Sequence, residues 1–96
     1  GRAARAAWEQ TMGTNYRRLR RRGRHPLVRA YAATNPAEYF AVTSELLFTR
    51  PRELREHLPR VYAQLAAFYG QDPAARAEAA GTDPAPRFTD LPRVPR

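Results

Sequence analysis

Cysteine, lysine and isoleucine are all missing from the 96 residues. The first absence removes disulfide frameworks and cysteine-ligated metal sites. The second makes all 17 basic residues arginine, which reads as biased codon usage and weakens any argument from the choice of arginine alone. Histidine is scarce too: His25 and His57 stand 32 positions apart, so no local pair has metal-ligand spacing. There is no apolar run near the roughly 18–20 residues that cross a bilayer, and no charged-then-apolar leader. The expectation is a soluble cytoplasmic protein with no membrane partner. The chain also opens GRAARAAW without an initiator methionine, as though cut from something longer. At this length it holds one domain at most and buries about 60–65% of its unfolded surface, so the core is thin.

The charge present is unevenly spread. Of the formal +8, residues 1–30 carry nine Arg and one acid, residues 31–72 four Arg and five acids, and residues 73–96 four Arg and three acids. The excess belongs to the first segment. Its densest part, YRRLRRRGR from Tyr16 to Arg24, has the composition of a phosphate-binding run. It has no recognisable DNA-binding module around it, and Tyr16 is its one interleaved aromatic, whereas single-strand binders offer several. Cations at a helix end also suit the helix dipole. Nucleic acid is therefore not the expected partner.

The apolar pattern predicts a mostly α protein of three to four helices. Trp8, Met12, Tyr16 and Leu19 recur at helical spacing over about Arg2 to Arg22, Gly23 stops that helix and Pro26 marks a loop. Asn35 as N-cap, Pro36 at the first helical position and Glu38 three after the cap start a second helix that runs to about Phe48. It is apolar on most sides and needs covering on most sides. Pro51 opens a short helix and Pro59 another, with Val61, Leu65 and Phe68 as its stripe and Gly70 as its cap. After QDP the chain turns rich in Pro and small residues. The predicted division is a helical unit over 1–73 and a flexible tail over 74–96, with Phe88 and Leu91 as docking points.

Within the second helix, Glu38 and Glu45 stand seven residues apart and so share a face. Tyr31 precedes Glu38 by another seven. Each has an ordinary explanation: Glu38 closes a capping box, Glu45 faces solvent or pairs with an arginine, and Tyr31 packs beside the helix.

Taken together, the spacing Y-x-x-x-N-P-x-E-[YF]-F-A followed by S-E, at YAATNPAEYFAVTSE, resembles the Mlc titration factor A family of zinc-dependent peptidases, in the C-terminal half of its catalytic domain. Lethal-factor-like zinc peptidases are similar in the same way. The resemblance continues through SELLFTRPRELREHLPRVYAQLAAFYGQDP and more weakly into the Trp8–Leu19 helix, covering about residues 8–73. It implies a fragment of a zincin-like domain in which Glu38 is the third ligand of Zn2+, Tyr31 stabilises the transition state of peptide hydrolysis, and Glu45 is an acceptor that orients a ligating histidine. It also implies a peptide substrate and, as a partner, a transcriptional repressor of sugar uptake. The chain departs from the family at one decisive point, since HExxH is absent and neither histidine is followed by another four residues on. These residues alone are expected neither to hold zinc tightly nor to cleave a peptide. The competing expectation is a non-catalytic helical interaction piece.

Overall fold

Three prolines in helix-opening positions, Pro36, Pro51 and Pro59, punctuate the middle of the chain, and each begins a helix. The computed structural model describes residues 1–81. Over these the chain forms α1 (Arg2–Arg22), a short 3-10 turn (Ala30–Ala33), α2 (Pro36–Thr49), α3 (Pro51–His57), α4 (Pro59–Tyr69) and α5 (Pro73–Ala80), with no strand. No helix among the described residues is long and apolar enough to cross a membrane.

In α1, Met12, Tyr16 and Leu19 are buried and Trp8 packs at the rim of the core. The helix ends at Gly23, whose φ of 74° only glycine adopts without cost and whose N–H donates to the Leu19 carbonyl at 2.8 Å. The loop that follows folds back on His25: its Nδ1 accepts the backbone N–H groups of Leu27 and Val28 at 3.0 and 3.1 Å. Val28 is thereby driven into the core. The 3-10 turn then runs beneath α1, where Tyr16 Oη donates to the Ala33 carbonyl at 3.4 Å.

Helix α2 occupies the middle of the bundle, packed against α1, α3, α4, α5 and the 3-10 turn. Tyr39, Val42, Leu46 and Leu47 are buried on it, and burial pushes the Tyr39 phenol up to about 12. Two polar side chains share that interior without cost in unmade bonds. Thr43 Oγ1 donates back to the Tyr39 carbonyl at 2.8 Å, and Ser44 Oγ accepts from Tyr69 Oη at 3.0 Å. No buried side-chain polar atom among the described residues lacks a partner, which keeps the penalty for burying such groups out of the core. An aromatic edge closes one end, with the Trp8, Phe40 and Phe68 rings 5.3 to 5.8 Å apart. Single residues, Arg50 and Leu58, join α2 to α3 and α3 to α4.

The described residues form five helices where the sequence pattern predicts three to four, the fifth lying at the start of the segment expected as tail. Residues 73–80 form α5, docked against α3 with Ala74 fully buried. Asp72 explains it. Its carboxylate caps α5 by accepting the Ala75 N–H at 3.3 Å and also accepts from Tyr62 Oη, which in turn accepts the Ala74 N–H at 2.9 Å. Arg55 and Glu78 add an ion pair from α3 to α5. Burial, and then the bond to Asp72, push the Tyr62 phenol up to about 12, while that bond holds the Asp72 carboxyl below its usual 3.8. Phe88 and Leu91 lie outside the described residues.

Asp72→Ala should fray α5 and cost about 1 kcal/mol, the usual value of an N-cap, seen as lost helical circular dichroism and a lower denaturation midpoint. In the native protein the folded pKa of Asp72 is the lower one, so its contribution is complete above the unfolded value near 3.8 and is lost as pH falls through the folded value. An acid titration of stability should therefore flatten in the Asp72→Ala protein.

Candidate metal-site face

Two of the three side chains singled out by spacing, Tyr31 and Glu38, meet on the side of α2 that the bundle leaves open, and Glu45 stands two turns further along it. Asn35 adopts extended backbone angles and its Oδ1 accepts the Glu38 N–H at 2.9 Å, so the cap forms. The reciprocal arm of a capping box does not: the Glu38 carboxylate instead accepts Tyr31 Oη at 2.8 Å. The 3-10 turn makes this reach possible, because it lays Tyr31 alongside the first turn of α2, and the Thr34 hydroxyl donates to the Tyr31 carbonyl at 2.7 Å to hold the turn. Tyr31 is 55% exposed, an unusual setting for a large aromatic in this chain. Its bond to Glu38 and the carboxylate's charge raise the phenol above its ordinary pKa of 10.

One repeat further along the same face, Glu45 accepts Arg29 Nη2 at 3.3 Å. Both side chains are more than half exposed, so the pair contributes at most about 1 kcal/mol. Between the carboxylates stands Ala41, also exposed. The face therefore reads Glu38, Ala41, Glu45, with Tyr31 and Arg29 reaching in from the loop and the 3-10 turn. Among the described residues no group of three or more His, Asp or Glu side chains comes together. Glu38 is a single oxygen donor here, and these residues by themselves do not complete a metal site.

Sequence spacing missed one pairing. His25 and His57, 32 residues apart in the chain, have ring centroids 5.9 Å apart, edge to face, where the loop after α1 meets the end of α3. The signal lies only in tertiary packing, which brings the loop after α1 against the end of α3.

The profile of the glucose-regulated metallo-peptidase M90 family matches residues 1–70. The chain belongs to that metallopeptidase family. Among curated proteins it is 54% identical over 52 residues to Mlc titration factor A of Edwardsiella ictaluri, a match covering 54% of this chain and 20% of the relative. It is 55% identical over 47 residues to Mlc titration factor A of Yersinia pestis, covering 49% of this chain and 17% of the relative. The matched segment thus spans about a fifth of these relatives' length. No solved structure matches the chain.

Glu38→Gln should bring the Tyr31 phenol back toward 10, because the substitution removes the charge that opposes tyrosinate while leaving an acceptor in place. A pH titration of the Tyr31 ring signals by nuclear magnetic resonance reads this directly; an unchanged midpoint would show that the carboxylate does not hold the phenol.

Proposed function

We propose that this chain supplies the helical back half of a zinc-dependent peptidase domain, with Glu38 as the third protein ligand and Tyr31 as a hydrogen-bond donor to the reacting carbonyl oxygen. The observation that carries the reading is the 2.8 Å bond from Tyr31 Oη to Glu38 on the open side of a helix otherwise surrounded by its own bundle. Family membership supports it independently. An exposed phenol in contact with a half-buried carboxylate has no packing task that simpler residues would not perform.

A zinc ion held by two histidines and a glutamate supplies a bound water of lowered pKa and polarises a peptide carbonyl. What this chain contributes is position and protonation. The Asn35 cap fixes the first turn of α2, and with it the direction of Glu38. Tyr31, with its pKa raised, stays protonated at neutral pH and keeps an O–H to donate where negative charge develops. Ala41 is small enough for another helix to come close between Glu38 and Glu45. Glu45, with Arg29 on one oxygen, is the proposed acceptor that orients a ligating histidine. The histidines and general base belong to an HExxH helix that the 96 residues do not contain, so the proposal places them in another part of a longer protein. For that whole protein we propose a peptide substrate, a cytoplasmic location and, from the name of the relatives, a protein partner of the Mlc kind.

In the complete protein, Glu38→Ala should lose most of about one bound zinc per chain, measured by atomic absorption. Tyr31→Phe should keep the zinc and lose about 10²–10³-fold in turnover of a peptide substrate, the usual effect of removing one oxyanion donor. Full zinc occupancy in the first variant sinks the ligand assignment, and unchanged turnover in the second sinks the role of Tyr31. A wild-type protein without zinc would point to a helical interaction piece.

A further inference from the structure

A second site lies on the opposite flank of α1, away from the Glu38 face. A cleft of about 500 Å³ runs between α1 and the corner where α3 meets α4, and Arg18, His57 and Arg60 are among the residues that line it. It continues past Asn15, Arg18 and Leu58 into a smaller recess of about 70 Å³ that adds Arg22, Arg24 and His25. No carboxylate lines either part. The ion pairs among the described residues engage Arg29, Arg50 and Arg55, so none of these four guanidinium groups pairs with an acid among the described residues. Among the described residues Arg18 makes one long side-chain contact, donating from Nη1 to Asn15 Oδ1 at 3.5 Å. The His25 imidazole is held below its ordinary pKa, by burial first and then by His57 and Arg22, as a cation-rich recess requires.

The walls also carry neutral donors. Thr11, Thr14 and Asn15 project from the same polar side of α1, while Leu58 and Val61 form an apolar floor. Guanidinium forks pair geometrically with phosphate oxygens, and hydroxyl and amide groups satisfy the remainder. Four uncompensated cations around a bounded cleft suit a compact ligand with several negative charges, and the volume is that of a nucleotide-sized molecule. A long polyanion would engage the arginines spread along α1, and only some of those face the cleft.

We propose that this cleft binds an oligophosphate, free or as the polyphosphate end of a nucleotide, through Arg18, Arg60, Arg22 and Arg24. The ligand lies between α1 and the α3–α4 corner and bridges the two.

Calorimetric titration of the full natural protein with inorganic triphosphate, at about 0.1 M salt so that diffuse attraction is screened, should show saturable binding at one per chain. Arg18→Gln with Arg60→Gln should weaken it at least about tenfold, as loss of charge-assisted bonds does. Arg2→Gln with Arg5→Gln, equal in charge lost but outside the cleft, should leave it unchanged. Tighter binding of adenosine triphosphate identifies a nucleotide, and equal binding a free oligophosphate. On unmodified protein, triphosphate should shift the ring signals of His25 and His57. Absence of saturation or of those shifts overturns the proposal. So does equal weakening in the control variant, or displacement of triphosphate by duplex DNA with a stoichiometry that grows with duplex length.

Discussion

The burial of α2 on every side but one is the constraint from which the other features follow. Leu47 is wholly shielded from solvent, and Tyr39, Val42 and Leu46 nearly so. Each fully buried aliphatic side chain stabilises the fold by about 1.5–3 kcal/mol, and in a chain this small a handful of such residues is most of what opposes the loss of conformational freedom. Helices α3, α4 and α5 are each shorter than α2 and reach around it, while α1 is the one long helix laid against it. The polar groups drawn in with it, Thr43 and Ser44, are satisfied by the helix itself and by Tyr69. The side left open is then conspicuous by its chemistry, since it carries both carboxylates of the helix.

The two flanks of the molecule differ in how their charges are paired. On the α2 side, Glu38 and Glu45 are each engaged, by a phenol and by Arg29. On the far side of α1, the arginines of the cleft stand beside other cations. The arginines of the first third of the sequence are divided by folding, some lining the cleft and others, such as Arg17, Arg20 and Arg29, lying toward α2.

Much of this architecture was legible in the sequence because it is written in local chemistry. The stripe from Trp8 to Leu19, the Asn35 cap with Pro36, and the prolines at 51 and 59 each act within one or two turns, and each element formed as its signals indicate. The metallopeptidase family was legible in the YAATNPAEYFAVTSE spacing, and the matching profile over residues 1–70 bears that out. What was not legible depends on partners distant in the chain. Helix α5 looked like tail because its own residues have little apolar periodicity; it is held by Tyr62, ten positions before Asp72, and by Arg55 from α3. The approach of His25 to His57 and the contact of Arg29 with Glu45 likewise exist only once the loop after α1 has folded back on the His25 ring.

Arg50 and Leu58 are each the sole link between successive helices, and their backbone angles nearly coincide, at φ −139°, ψ 58° and φ −137°, ψ 66°. Each ends one helix and is followed at once by a proline that begins the next. The corners therefore have no slack. One residue more or fewer at either would rotate everything downstream by about 100°, the angular step of an α-helix, and turn Val61 and Leu65 away from α2. The path from Asn35 to Tyr69 therefore behaves as a ruler of fixed length, whereas the loop around His25 has no such single-residue corner.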